Sequence, residues 1–429
     1  MKAIKKILSF VLCLSLCLSM LTVAGAEGGK KKVVLWTWAS GQFDAVQKGY
    51  FATHPDADWE FEEVIIDADD YLTKLQQGYA SGGDMPDLLM GEIGWRASSF
   101  ALGIWDNLEA EPYNFDRSTV LDYVPSVTSD AEGHVVGIEN SQNPAFMAYK
   151  RDLAREYLGT DDPKELEAMF QTYDDYLTVG AQVYEKSNGT VTLFPGLGDV
   201  MTMMWMQRRD QCNMNADGDI EVSGKVKPIL EYLQKARDAH IAGNLTIWST
   251  QWYANYGQQN NILFPSASWS VTFQIEPNDP EGCAAGNWGG FSPAGGGYGW
   301  GGTCYGIYKN SEVKDEAWDF IKWCLLSVEG AQYMKGASFF TTLKEAYDDP
   351  AYTEGTRESF GDQQIYHFMM EDIASEIPSA TISIYDSLVV DSMNMITEMM
   401  TADESLSADA AYDYFMEDLQ MKVPDVTVK

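Results

Sequence analysis

The sequence is short of most residues that chemistry on a substrate requires. Its four histidines, His54, His134, His240 and His367, are scattered, and neither an HExxH nor a GxSxG segment occurs. The motifs of a zinc hydrolase and of a nucleophile elbow are therefore missing. Of six cysteines, Cys13 and Cys17 lie near the start, and Cys212, Cys283, Cys304 and Cys324 form no CxxC or zinc spacing. Positive charge is scarce: 29 Lys and Arg stand against 64 Asp and Glu, for a net charge of −35. Such a surface repels nucleic acid and anionic membranes, and it does not draw in an anionic ligand by general field. Long apolar runs are missing beyond the first residues, where nothing approaches the ~20 needed to span a bilayer. Low-complexity tracts and 20–50-residue repeats are absent too.

What is present begins with an export signal. Lys2, Lys5 and Lys6 precede an apolar core from Ile7 to Val23, and Ala24-Gly25-Ala26 supplies the small residues of a cleavage site. Cleavage after Ala26 removes three lysines and no acid, which takes the net charge from −35 to −38 and places the mature chain outside the cytoplasm. About 400 mature residues exceed one ordinary core and suit two lobes. Cys283 and Cys304 bracket a glycine-rich stretch, so an oxidising compartment leaves two outcomes open, a disulfide or two buried thiols.

The mature chain opens as strand, helix, strand, helix, strand. Val33 to Trp38 is a short apolar run. Phe43, Val46 and Tyr50 follow at helical spacing, stopped by His54-Pro55-Asp56. A strand around Trp59 to Ile66 leads to a helix opened by Asp69-Asp70 and ended by Ser81-Gly82-Gly83, and Pro86 to Met90 forms another buried strand. This alternation predicts a parallel sheet flanked by helices, with ligand beyond the carboxyl ends of its strands. Further on, Asp162-Pro163-Lys164-Glu165 is a helix start, continued by Leu166, Met169, Phe170 and Tyr173. Ala317, Phe320, Ile321, Cys324, Leu325 and Val328 form one apolar stripe, and Ala408, Tyr412, Phe415 and Leu419 another.

Three near-motifs are set aside. Gly297 to Gly302 spells GxGxxG without a following helix, and the segment around Gly224-Lys225 lacks the other P-loop residues. Asn213-x-Asn215-x-Asp217-Gly218-Asp219 resembles a calcium loop but has Gly224 where the bidentate Glu belongs, so a hairpin turn is expected. No metal or cofactor is implied.

The order of these segments resembles the extracellular solute-binding proteins of ABC transporters, of the maltose-binding (family 1) type. The resemblance runs through VVLWTWAS, HPDADWEFEEV, DYLTKLQQGYASGGDMPDLLM, GIWDNL, AYKRDLAREYLGTDDPKELEAM and GGTCYGIYKNSEVKDEAWDFIKWCLLSVEGAQYM, over essentially the whole mature chain. It implies an α/β fold of two lobes, each a mainly parallel sheet flanked by helices, joined by hinge strands. The first lobe would comprise residues 33–138 and 297–335, the second 139–296 and 336–429, with crossings near Gly137 to Glu139 and near Gly297. Lobes of this kind close on ligand as rigid bodies. The implied function is a non-enzymatic, monomeric receptor that delivers a mono- or oligosaccharide to an ABC permease. Gram-positive members carry a lipid-anchored cysteine after the signal, and Cys13 and Cys17 inside the apolar core do not fit that pattern.

A sugar offers polar edges and an apolar face, so its sites combine flat aromatics with amides and carboxylates. Trp36 and Trp38 end the first strand, and one of the two is expected to face the ligand. Glu92 and Trp95 follow the PDLLM strand, and Asn140 and Gln142 lie in the polar run at the lobe crossing. The resemblance points to Trp269, after the FPSAS strand, as the stacking residue. Trp205 in its methionine-rich helix, Trp300 in the glycine-rich return and Tyr385 complete the set. Two other functions fit parts of the sequence. A secreted glycan hydrolase would use Glu92 and Glu139 as acid and base, and a polyamine receptor would exploit the acidic surface.

Overall fold

The computed structural model describes residues 30–38 and 44–429. The export signal lies outside them. The first strand, β1 (Lys31–Thr37), is followed by a helix at Asp44–Thr53, β2 (Trp59–Ile65), a helix at Ala68–Ser81 and β3 (Leu88–Glu92). The punctuation is local chemistry. Asp67 caps the Ala68–Ser81 helix by accepting from the Asp69 N–H, and Gly82 ends it in a left-handed conformation at φ 64°. Both β2 and β3 run parallel to β1. Two later strands, β4 (Ile138–Glu139) and β9 (Thr303–Ile307), complete the sheet in the order β2-β1-β3-β9-β4, and β9 is antiparallel to both its neighbours.

The second sheet is built around β5 (Pro144–Lys150), with β6 (Leu263–Ala267), β7 (Trp288–Phe291) and the short β8 (Tyr298–Gly299) all antiparallel to it. This corrects the expectation of a mainly parallel sheet in the second lobe. Among the described residues parallel pairing survives there only as isolated bridges, Thr192 to Asn261, Phe194 to Ala242 and Ile220 to Val428. β5 is buried along its whole length because it serves two cores at once. Ala145, Met147 and Tyr149 enter one core, and Phe146 and Ala148 the core on the other face, as the two-residue period of a strand requires. A separate core packs the first sheet, with Val33, Leu35, Leu88, Tyr305, Phe320 and Ile321 among its members.

Two helices divide where one continuous run was expected. The helix opened by Asp162 ends at Met169, because Thr172 and Asp175 form a capping box that starts a new helix at Tyr173–Lys186. Tyr173 therefore belongs to the second of the two. Ser327 likewise caps the Val328–Gly336 helix through the Gly330 N–H, so the stripe from Ala317 stops at Leu325 and Val328 begins another element. The calcium-like segment is a hairpin turn as expected. Asn215 Oδ1 accepts from the Asp217 and Asp219 N–H groups, and Met214 pairs with Ile220.

The four cysteines among the described residues are free thiols. Cys283 and Cys304 sit in different cores, which rules out their pairing in this fold. Burial pushes both thiols up to about 12, as expected of inert packing groups.

Candidate functional site

Three chain segments meet where the two sheets adjoin. The polar run after β4 lies against residues 339–343: Ser141 Oγ accepts from the Phe340 N–H, the Gln142 N–H donates to the Phe340 carbonyl, and Thr342 Oγ1 donates to the Glu139 carbonyl. The third segment is the return from β8 to β9. β8 still pairs with β5, so the return passes after Gly299 and not at Gly297.

A buried ion pair fixes this junction. Arg96, fully buried, donates through Nη1 to Glu139 Oε2 at 2.6 Å and through Nη2 to Oε1 at 3.2 Å. Its remaining N–H groups reach the carbonyls of Gly91, Val127 and Gly302. Gly302, at φ 138°, lies so near that any Cβ there would collide with Glu139 Oε1. This fork geometry satisfies the guanidinium completely, as a buried charge demands. Glu139 is thereby committed to the hinge and is not free as the base of a hydrolase.

Around the junction stand aromatic rings from both lobes. On the first-lobe side Trp38 and Trp95 meet edge-to-face with centroids 6.2 Å apart, and Tyr71 stacks on Trp95 at 5.2 Å. Trp36 also packs on Tyr71, at 6.3 Å. The expectation that Trp36 and Trp38 would diverge is corrected: residues two apart share a strand face. What separates them is depth, since Trp36 is buried in the first core and Trp38 lies past the strand end, half-buried.

On the second-lobe side Trp269, Trp300 and Trp248 form one cluster. Trp248 stacks on Trp269 at 6.1 Å and 21°, Trp300 meets Trp269 at 5.3 Å, and Trp269 Nε1 donates to the Trp300 carbonyl at 3.0 Å. Trp300 itself is buried, whereas Trp248 is 47% exposed. Trp269 packs against the cores of both lobes, so it stands at their seam.

Trp248 was not among the residues expected from sequence. It holds a left-handed backbone at φ 69°, a strained state for a bulky side chain that is typical of functional positions. The available signal was its place just before Ser249, which caps the Thr250–Asn255 helix.

Charge at the junction is balanced between the lobes. Burial raises the pKa of half-buried Glu92, while the Gly94 N–H, Arg96 and Arg209 oppose that rise. Arg209, from the second-lobe side, donates to the Gly299 carbonyl at 2.8 Å and faces both Glu139 and Glu92. Burial lowers its pKa, and those two carboxylates counter the effect. Arg209 was also missed, since nothing in its local sequence tells which strand ends it will meet.

Other expected residues are engaged elsewhere. Trp205 is buried in the second-lobe core with Lys225 Nζ 3.7 Å above its ring, because its apolar helix packs on all sides. Asn140 is buried and donates to Tyr305 Oη at 3.3 Å, and Gln142 donates to Tyr347 Oη at 2.5 Å, so both amides tie the crossing together. Tyr385 is half-buried against the second-lobe core. Among the described residues no cluster of His, Cys, Asp and Glu is arranged to hold a metal ion, and no helix is long and apolar enough to cross a membrane.

No curated protein matches the sequence. Solved structures do resemble the fold. An extracellular solute-binding protein of family 1 superposes with a TM-score of 0.76 at 18% identity, covering 91% of this chain and 99% of the other. The ABC transporter associated binding protein of B. animalis subsp. lactis Bl-04, in complex with β-1,6-galactobiose, gives 0.75 at 15% identity over 93% and 100%. The galacto-N-biose-/lacto-N-biose I-binding protein of Bifidobacterium longum, in complex with lacto-N-biose, gives 0.72 at 18% over 94% and 100%. At such identities the likeness concerns the two-lobed fold. The sequence itself matches a family model over residues 30–357, and the chain belongs to the bacterial extracellular solute-binding proteins.

Proposed function

We propose that this protein is the carbohydrate receptor of an ABC importer, exported by its N-terminal signal and acting as a monomer that hands its sugar to a permease. The observation that carries this reading is the seam cluster of Trp248, Trp269 and Trp300, with a second aromatic group, Trp38 and Trp95, past the strand ends of the first sheet. Flat rings suit the apolar face of a sugar, and Glu92 and Arg209 offer an acceptor and donors to its hydroxyls. The similar structures named above hold a β-1,6-galactobiose and a lacto-N-biose, which supports a neutral oligosaccharide. With β8 paired to β5 and Glu139 paired to β9, residues 33–139 with the chain from β9 to 335, and the residues between those crossings with 336–429, would form the lobes that close as rigid bodies about the three crossing segments. Ligand touching both lobes favours the closed state by its differential affinity. Catalysis finds no support here, because the Arg96 pair occupies one of the two carboxylates a hydrolase would need.

A thermal-shift screen of the mature chain tests the proposal. The panel is maltotriose, β-1,6-galactobiose, lacto-N-biose and glucose, with spermidine as the cationic control. Ligand at a hundredfold excess over Kd stabilises the native state by about 2.7 kcal/mol. A shift with a sugar that disappears in Trp269→Ala supports the reading. A shift with spermidine alone would replace the ligand class, and release of shorter glycans would replace the function.

A further inference from the structure

Behind the tryptophan cluster lies a buried carboxyl group that sugar binding does not itself require. Asp199, in the first turn of the Leu197–Met206 helix, is 2% exposed. Its Oδ1 accepts from Trp252 Nε1 at 2.9 Å, and its Oδ2 has no protein partner. Trp252 is fully buried, and its ring lies 5.3 Å from that of Trp248 at 54°. A chain of contacts thus runs from Asp199 through Trp252 to the exposed, left-handed Trp248 and on to Trp269.

We propose that Asp199 is a positioning residue of the ligand platform, and that the charge it carries, relayed through Trp252 to Trp248, makes ligand affinity depend on pH. The proposal takes the nature of the ligand from the carbohydrate reading, but the linkage itself rests on these contacts alone.

The surroundings single out Asp199 as the switching group. Trp252 and Tyr256 face it from the segment after Ser249, Tyr298 from β8, and the N–H groups of Gly196 and of Asp199 itself from the start of its own helix. Among the described residues the groups acting on it include no cation. Burial lifts both tyrosines well above their ordinary value of 10, so they remain neutral near pH 7. Burial also pushes Asp199 up to about 7, against the pull of the Trp252 N–H. Protonated, the group is neutral, as its burial favours, and keeps Oδ1 as the acceptor for Trp252. Ionised, it leaves under the platform a charge held by N–H donors but by no cation among the groups acting on it. A sugar laid on Trp248 and Trp269 excludes water from that layer and disfavours the charged form further. Binding above neutrality therefore takes up a proton, and affinity falls as pH rises, by at most tenfold per pH unit for one proton.

The sugar that gives the largest shift in the screen is titrated calorimetrically at pH 6.0 and 8.5 against wild type, Asp199→Asn and Trp252→Phe. Wild type is expected to bind at least fivefold more weakly at the higher pH. Asp199→Asn, which keeps the acceptor but cannot ionise, should change by less than twofold. Trp252→Phe removes the donor that holds the carboxyl down, so its transition should move to higher pH; this variant also serves if Asp199→Asn does not fold. Equal pH profiles in wild type and Asp199→Asn would overturn the proposal. Tryptophan emission of the ligand-free protein, followed from pH 5 to 9, decides independently of any sugar. A transition near pH 7 that is absent from Asp199→Asn supports the linkage, and identical curves reject it. If no sugar binds at any pH, it is the carbohydrate reading that fails, and the emission curves still judge Asp199.

Discussion

Replacing Glu139 by leucine leaves Arg96 fully buried with no counter-charge. The guanidinium keeps its three backbone carbonyls but loses both carboxylate bonds, at 2.6 and 3.2 Å. Breaking one side of a buried pair costs about 3–5 kcal/mol, chiefly as the penalty of the stranded charge. With an unfolding entropy of ~2.1 cal/mol/K per residue, some 400 residues melting together give ~0.8 kcal/mol per degree, so Tm should fall by about 5 °C. If the first lobe melts by itself, the drop is larger. Replacing Arg96 by methionine in the same chain removes the stranded charge and should restore much of the loss, because an apolar pair of similar volume is often as stable as an ion pair. Calorimetry of wild type, both single variants and the double variant closes the cycle, with a coupling of about 2 kcal/mol expected. A Glu139→Leu melt within 1 °C of wild type, or strictly additive losses, would refute the account of the hinge.

Other consequences follow from depth and burial. Trp36→Ala should lower stability by about 3–5 kcal/mol, as loss of a core ring does, with little change in sugar affinity. Trp38→Ala should do the opposite; calorimetry and binding titration on both variants separate the roles. Adding a reductant should leave Tm unchanged, and a thiol reagent on the folded protein should label Cys212 well before the three buried cysteines, which mass spectrometry can verify. Asp199 also leaves a mark on stability. Its folded pKa of about 7 lies above the ordinary 3.8, so the unfolded chain gives up this proton first. Its contribution is full below pH ~4 and declines up to pH ~7, where it levels off after a loss on the order of 4 kcal/mol. Urea unfolding at pH 5 and pH 8 should show that decline in wild type and not in Asp199→Asn.

The sequence was most legible where structure is set by neighbours in the chain. The end of the Ala68–Ser81 helix could be read from its glycine, and Asp162 marks the start of its helix, whereas the cap of the Ala68–Ser81 helix is Asp67 and the expected Asp69-Asp70 lie in its first turn. The capping signals at Thr172 and Ser327 were equally local, but an unbroken apolar period masked them. Pairing direction in the second sheet was hidden, since β5 bonds to strands more than a hundred residues away. The site divided along the same line. Trp269, Trp38, Trp95 and Glu92 follow strand ends, which topology places at the junction. Trp248, Arg209 and Asp199 gain their roles from contacts across the fold that no local pattern announces. Polar residues were legible in place but not in their contacts. Asn140 and Gln142 stand at the crossing as expected, where their NH2 groups donate to Tyr305 and Tyr347 while Asn140 Oδ1 has no partner.

The central claim is that Trp269 presents a sugar-binding face at the seam of two lobes. Isothermal titration of the mature protein and of Trp269→Ala with the best sugar of the panel tests it most directly. The account predicts one-to-one binding by wild type, no product on prolonged incubation, and a loss of about 2 kcal/mol or more, at least ~30-fold in Kd, in the variant. Unchanged affinity in Trp269→Ala, or binding of spermidine in place of every sugar, would contradict it.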